Sequence, residues 1–383
     1  MESVIVRPCA GYEEAEVRQA LEAVLAPLGG LDWVLPGMKI AVKANLITAL
    51  KPEAAATTHP ALLGALTELL LEKGAVVTIG DSPGGVFNRV YLERVYEVCG
   101  LKALEARGAI LNRDFRQAER DFPEGKVLKR FTYTQWLDEA DAIINFCKLK
   151  VHAMMAMTAA TKNLFGAIPG SVKAEYHYRF PEYADFADML VDLCECFRPR
   201  LNLCDAVVAM EGNGPTQGTP RQIGALLASK SPYCLDLAAA SLLGLTKADV
   251  PYLEAAFRRG LTPGDAKELT VDGDLAAFRP EDFRNIAGRH GLTQLIGGGG
   301  PVSRLVQGAV DSILRSRPQL KTEACVGCGV CAGACPAHAI TMVNKKANID
   351  RKQCIRCFCC QELCPRGAMG VRRPLAARIA GRL

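Results

Sequence analysis

Residues 325–336 read Cys325-Val326-Gly327-Cys328-Gly329-Val330-Cys331-Ala332-Gly333-Ala334-Cys335-Pro336, and residues 354–365 repeat the pattern as Cys354-Ile355-Arg356-Cys357-Phe358-Cys359-Cys360-Gln361-Glu362-Leu363-Cys364-Pro365. Both runs obey C-x-x-C-x-x-C-x-x-x-C-P. At that spacing three thiolates on a tight loop hold three irons of a cubane, and the cysteine before proline reaches the other cluster. The pattern predicts crossed ligation. Cys325, Cys328, Cys331 and Cys364 would bind one [4Fe-4S] cluster, and Cys354, Cys357, Cys360 and Cys335 the second. A zinc site would ask for four-ligand groups such as paired C-x-x-C, not two runs of four ending in Cys-Pro. Cys359 is a ninth cysteine, either a spare thiol or a competitor for the ligand register.

Residues 321–370 resemble the bacterial two-cluster ferredoxin module. A cluster with four thiolates and no open position carries one electron, so electron transfer is the function the segment implies. The alternative is purely structural: few apolar residues are available here for a core, and metal binding can itself supply folding energy.

Length and composition limit the remainder. A chain of 383 residues accommodates a large core plus one small module, and 49% apolar with 23% charged residues is ordinary for a soluble globular protein. No run of apolar residues is long enough to span a bilayer. Met1-Glu2-Ser3-Val4 has neither the basic nor the apolar region of a secretory signal. Sixteen cysteines without such a signal point to a reducing cytoplasm.

From Lys321 to Leu383 there are 11 Lys and Arg against 3 Asp and Glu, a balance of +8 that leaves −3 on residues 1–320. A basic cluster module suggests an acidic docking partner of the ferredoxin or flavodoxin type, and no nucleic-acid partner is expected. Val371, Leu375, Ile379 and Leu383 recur every four positions among Arg372, Arg373, Arg378 and Arg382. That is a basic amphipathic helix, suited to packing on its own domain or to peripheral contact with anionic lipid.

Residues 1–300 alternate short apolar runs with amphipathic stretches, which predicts an α/β domain with a large, mainly parallel sheet covered by helices. Strands are expected at Val4–Val6, Ile40–Ala44, Ala75–Gly80, Ala142–Phe146 and Leu201–Val208, and helices at Glu13–Leu25 and from Pro60 to Lys73. Val302, Leu305, Val306, Val310, Ile313 and Leu314 predict a connecting helix within 301–320. A small ferredoxin-like α+β domain follows over 321–370, then a basic tail over 371–383.

In an open α/β sheet, ligands bind at the C-terminal strand edge. Polar residues collect there: Lys43 and Asn45; Asp81; Lys148, Lys150 and His152 leaving the Ala142 strand; then Lys162, Asn163 and Lys173; and the Gly-rich run Glu211–Gly218. Any one of these loops reads as an ordinary turn. Together, lysines beside Gly-rich turns make a cationic pocket for a phosphate or carboxylate. Lys43, Asn45, Lys148, Lys150, Lys162 and Asn163 are the candidate ligand-binding residues, and His152 and Asp81 the candidates for proton handling. Residues 166–173 are not a Walker A loop, because the second glycine and the lysine are not adjacent, and no dinucleotide fingerprint follows Gly80. A flavin phosphate would suit the same lysines, though no fingerprint demands one.

Lys43-Ala44-Asn45, Thr58-His59-Pro60, Gly80-Asp81-Ser82-Pro83-Gly84, Lys148-Leu149-Lys150-Val151-His152 and Thr161-Lys162-Asn163-Leu164-Phe165-Gly166 occur in the order seen in a prokaryotic domain-of-unknown-function family numbered 362, which the chain resembles over about residues 1–300. That family is often fused to ferredoxin modules, and the resemblance implies a shared fold and site without an established reaction. The combined expectation is an iron-sulfur electron-transfer protein, an oxidoreductase whose α/β domain binds a small anionic substrate or cofactor. The competing readings are a ferredoxin-like adaptor between proteins and a non-redox enzyme with structural clusters.

Overall fold

The computed structural model describes residues 2–285 and 316–372. Apolar runs too short for helices form the strands of a nine-stranded sheet: β1 (Val4–Pro8), β2 (Lys39–Lys43), β3 (Val76–Gly80), β4 (Ile110–Leu111), β7 (Ala142–His152), β8 (Ala156–Thr158), β9 (Leu201–Glu211), β10 (Thr219–Ser229) and β11 (Val271–Asp272). The order is β11-β1-β10-β9-β7-β2-β3-β4, with β8 paired to β7. β4, β3, β2, β7 and β9 are mutually parallel, as βαβ connections require. β10 turns back antiparallel on β9 and brings β1 in antiparallel beside it. The sheet is therefore mixed but mainly parallel. An additional hairpin of β5 (Gln117–Asp121) and β6 (Arg130–Thr134), absent from the sequence reading, lies off the main sheet.

Helices cover both faces. The apolar stripes of α1 (Glu14–Leu25), α2 (Pro60–Glu72) and α3 (Arg89–Val98) bury Leu21, Val24, Leu62, Leu66 and Val95 with Ile40, Val42, Ile144 and Phe146 in one core. On the other face α5 (Tyr183–Phe197), α6 (Pro232–Leu242) and α7 (Pro251–Arg258) pack with Cys147 and Leu149 in the second core.

Two strands run further than their apolar cores suggest. β7 continues from Phe146 to His152, and β9 from Val208 to Glu211. Lys148, Lys150 and His152 are thus strand residues and do not leave the strand as a loop. Pairing to β8 and β9 supplies the ladder hydrogen bonds that keep this stretch extended. With a period of two, the three side chains follow Ile144 and Phe146 along one face of the sheet.

The small domain is built from antiparallel pairs. β12 (Arg317–Leu320) pairs with β15 (Met369–Arg372), and β13 (Ile340–Val343) with β14 (Lys346–Ile349). Arg317–Leu320, expected inside the connecting helix, is a strand because β15 offers it a partner. Val371 and Arg372, expected to begin the tail, belong to β15 for the same reason. The remaining connecting-helix positions, Val302 to Leu314, and the tail from Arg373 onward lie outside the described residues. The cysteine repeat is also a backbone repeat. Gly327 and Arg356 have φ of 74° and 59°, and Gly329 and Phe358 have φ of 77° and 64°. The second pair begins the short helices Val330–Gly333 and Cys359–Glu362. Left-handed backbone at Arg356 and Phe358 carries a steric cost, since neither is glycine.

Candidate iron-sulfur and anion site at the domain junction

The cysteines fall into two groups. Cys325, Cys328, Cys331 and Cys364 line one cavity together with Leu320, Val326, Met342 and Pro365. Burial, followed by the charges of Cys357 and Cys335, pushes the Cys354 thiol up, and burial followed by Cys357, Cys354, Cys331 and Cys335 does the same to Cys360. Cys335 thus lies near Cys354 and Cys360, Cys364 lies beside the cysteines of the first repeat, and Cys331 also neighbours Cys360. The backbone N–H groups of Ala339 and Ala368 donate to the Cys335 and Cys364 sulfurs at 3.2 and 3.3 Å, the same contact in each repeat. Among the described residues no three His, Cys, Asp or Glu side chains converge on a single-ion position. Cys359 is buried and hydrogen-bonded to the Cys357 sulfur, an interaction that lowers the Cys357 pKa.

The lysines come together on the α/β domain but have different partners. Lys148 Nζ lies 2.8 Å from Asp205 Oδ2 and 2.9 Å from the Tyr12 hydroxyl, which donates to Asp205 Oδ1. Tyr12 stacks on His59 with ring centroids 3.5 Å apart. Lys148 is consequently neutralised within a closed buried network, away from the ligand set proposed for it. Lys43 pairs with Asp81 Oδ1 at 2.7 Å, while Asp81 Oδ2 accepts from the Leu46 N–H at 2.7 Å. Gly166 passes so close to this pair that any Cβ there would overlap Asp81 and Lys43. That close approach explains a glycine in the Thr-Lys-Asn-Leu-Phe-Gly segment.

Lys150 Nζ donates to Asn45 Oδ1 at 2.7 Å and to the Ala56 carbonyl at 2.6 Å, both neutral acceptors. Burial, then the neighbouring charge of Lys162, brings its pKa down to about 7. Asn45 and Asn163 position one another: Asn45 Nδ2 donates to Asn163 Oδ1 at 3.0 Å, and Asn163 Nδ2 donates to the Lys43 carbonyl and to Asn145 Oδ1. Lys162 and Asn163 sit on α4 (Ala160–Asn163), whose first N–H groups at Ala160 and Thr161 are held by Asp236 at 2.6 and 2.8 Å. Burial raises the Asp236 pKa to about 7. Lys162 Nζ makes no hydrogen bond or ion pair among the described residues and lies 5.8 Å from the Phe165 ring.

Two basic groups and one acid join this cluster. Lys173 donates to the Ile168 carbonyl at 2.6 Å, and burial lowers its pKa to about 7. His177 stacks on Phe186 at 4.5 Å, with burial pressing its pKa to about 3. The acid is Glu362, carried in by the cysteine repeat: its Oε1 is 2.8 Å from His152 Nε2. Burial raises the Glu362 pKa, but His152, with Lys162 and His177, overcomes this and holds it at about 2. His152 Nδ1 accepts from the N–H groups of Met154 and Met155, which leaves the ring proton on Nε2. The Nε2–H meets the Glu362 carboxylate in a close contact that is bent away from ideal hydrogen-bond geometry.

The two domains meet through this segment. Phe358 is buried in the helix-side core of the α/β domain. Gln361 Nε2 donates to the carbonyls of Asn213 and Gly214 at 3.0 and 3.1 Å, and Gln217 Nε2 donates to those of Gln361 and Cys364 at 2.6 and 3.2 Å. Thr216 Oγ1 donates to the Glu362 carbonyl at 3.0 Å. The Gly-rich run after β9 thus grips the second cysteine repeat. Sequence reasoning placed that run near a ligand and missed Glu362, whose only signal was an acid inside a basic module.

Fold and cysteine placement define an iron-sulfur protein in which a ferredoxin-type module is docked on an α/β domain. The chain belongs to the Domain of unknown function (DUF362) family, whose model matches residues 40–241, and a 4Fe-4S dicluster domain matches residues 317–365. The thylakoid-associated protein sll1697 of Synechocystis sp. is 34% identical over 278 residues, which are 70% of this chain and 83% of that protein. The lactate racemase apoprotein of Thermoanaerobacterium thermosaccharolyticum is similar at a TM-score of 0.42 and 13% identity, over 62% of this chain and 56% of that chain. Among the described residues no helix is long and apolar enough to cross a membrane.

Proposed function

We propose that this chain is an electron-transfer protein acting as an oxidoreductase on a small anionic substrate or cofactor held beside Lys150, Lys162 and His152. The observation that carries this reading is the docking of Cys359–Cys364, a segment bearing ligand cysteines of both groups, directly against those side chains. Cys325, Cys328, Cys331 and Cys364 would hold one [4Fe-4S] cluster, and Cys354, Cys357, Cys360 and Cys335 the other. Bound there, the clusters supply single electrons.

The anion requirement follows from charge. Among the described residues, the carboxylates that act on Lys43, Lys150, Lys162 and Lys173 are Asp81 and Glu362. Excess buried positive charge is costly without a counter-ion, and the lowered lysine pKa values express that cost. An anionic ligand relieves it. His152 and Glu362 are the groups available for proton exchange, since Asp81 is held by Lys43 and by the Leu46 N–H. Asn45 and Ala56 fix the Lys150 ammonium, and the docked module excludes water.

Electrons would enter at an exposed face of the module. Cys328 is exposed, and Val326, Val330 and Val343 are 58%, 42% and 51% exposed, apolar surface suited to a ferredoxin- or flavodoxin-type partner. The excess of Lys and Arg in this module favours an acidic one. Sixteen cysteines, half of them assigned to iron, favour a reducing compartment such as the cytoplasm. The relative's thylakoid association supports a position at a membrane surface. The test is anaerobic purification with iron quantification, then titration of sulfate into the natural chain, Lys150→Ala and Lys162→Ala. Weakened binding with iron content unchanged supports the reading; binding unchanged in both variants removes the site assignment.

A further inference from the structure

The anion site already contains an anion. Lys150, Lys162, Lys173, His152 and His177 all feel the charge of Glu362, while Asp81, the other carboxylate, is tied to Lys43. Glu362 is thus the counter-ion that the cluster module lends to the α/β domain. Its hold is more electrostatic than directional. Glu362 Oε1 and His152 Nε2 are 2.8 Å apart in a contact bent away from ideal hydrogen-bond geometry, and Lys162 Nζ stands without a partner among the described residues. A bent hydrogen bond is weakened, so a ligand that meets both donors in line has an advantage over the carboxylate now present.

The backbone beneath Glu362 is fixed independently of its side chain. Thr216 holds the Glu362 carbonyl, Gln217 holds the carbonyls of Gln361 and Cys364, and Gln361 reaches back to Asn213 and Gly214. None of these contacts uses the carboxylate. The carboxylate can therefore leave by rotation about its own side-chain bonds while the module stays docked, a rotamer change and not a domain movement.

We propose that Glu362 is an internal occupant of the anion site, standing where the acidic group of a small phosphate or carboxylate ligand binds, and that the ligand displaces it. This rests on the anion-site reading above. A site that must expel its own carboxylate binds more weakly by the factor that this competition imposes. In exchange, the lysine cluster is never left bare when no ligand is present.

Calorimetric titration of inorganic phosphate into the iron-loaded chain at pH 7, under anaerobic conditions, tests the proposal. Glu362→Gln keeps the shape and removes the charge, and it should bind phosphate at least about tenfold more tightly than the natural chain. Glu362→Asp retains the charge on a shorter stem and should fall between the two, which separates competition from a folding defect, as does iron content measured on each sample. Lys162→Ala should weaken binding in the natural and Glu362→Gln backgrounds alike. The same ordering obtained with oxalate and not with phosphate supports the proposal for a carboxylate ligand. If Glu362→Gln binds neither anion more tightly while Lys162→Ala still weakens binding, the displacement proposal alone is overturned. If Lys162→Ala changes nothing, the anion-site reading falls and takes this proposal with it.

Discussion

Glu362 of the cysteine repeat and His152 of the central strand approach to 2.8 Å across the junction of the two domains. The first lies two residues from Cys360 and two from Cys364, one cysteine of each group; the second ends the strand that carries Lys148 and Lys150. This contact links the cluster module to the lysine cluster, and its surroundings lead to specific expectations.

Crossed ligation predicts that Cys364→Ser and Cys335→Ser damage different clusters. Each should lower iron from about eight per chain to about four, with different spectra of the reduced protein by electron paramagnetic resonance. Cys359→Ser should keep all the iron. Loss of iron in Cys359→Ser would make Cys359 a ligand in place of Cys357 or Cys360.

Lys150 gives a pH dependence of defined sign. Its folded pKa of about 7 lies below the ordinary lysine value of 10.5, so across that window the unfolded chain binds a proton that the folded chain does not. The contribution of this group to stability is least below pH 7 and rises with pH toward 10.5. Lys150→Met should therefore raise the melting temperature relative to the natural chain most at low pH, and the difference should shrink as pH rises. Thermal melts at pH 6, 8 and 10 give that slope, and a pH-independent difference contradicts it.

Sulfate, whose charge is constant over this range, should bind progressively more weakly above about pH 7 as Lys150 and Lys173 lose their protons. Calorimetry across pH 6 to 9 measures the trend, and affinity that stays level would separate sulfate binding from these lysines.

Asp81→Ala leaves Lys43 buried and without its carboxylate. Breaking a buried pair on one side costs about 3–5 kcal/mol, whereas replacing both partners by apolar residues costs far less. Denaturant unfolding of Asp81→Ala and of the Lys43→Met, Asp81→Leu double variant should show this order. Equal losses would mean that the pair itself supplies the stability.

Phe358→Ala should loosen the module without emptying it. The ring is buried in the core of the α/β domain, and truncating a buried phenylalanine costs about 3–5 kcal/mol. Hydrogen exchange over residues 359–364 should rise while iron content holds. Unchanged exchange would move the docking energy to the Gln361 and Gln217 contacts.

Much of the architecture was readable along the chain. Strand and helix periods are local, so β1, β2, β3, α1 and α2 appear within a residue or two of where hydrophobic patterning places them. The far ends of β7 and β9 were not readable. Lys148, Lys150 and His152 look like a polar exit from the strand, and only pairing to β8 and β9 shows that they remain extended. The β12–β15 pair was hidden for a similar reason, because each half acquires strand character from a partner roughly fifty residues away.

The cysteine repeat of the cluster module, the mainly parallel α/β fold and the collection of lysines near strand ends were legible along the chain. Ligand spacing and hydrophobic period depend on neighbours a few residues apart, and those neighbours are written in order. Which lysines have partners follows from how the chain folds. Lys148 and Lys43 are matched to Asp205 and Asp81, which lie 57 and 38 residues away, while Lys150 and Lys162 are left without a carboxylate hydrogen bond. The same holds for Glu362. Its role arises from the docking of one domain on another, and the burial that makes a charge expensive is a property of that packing and not of any local run of residues.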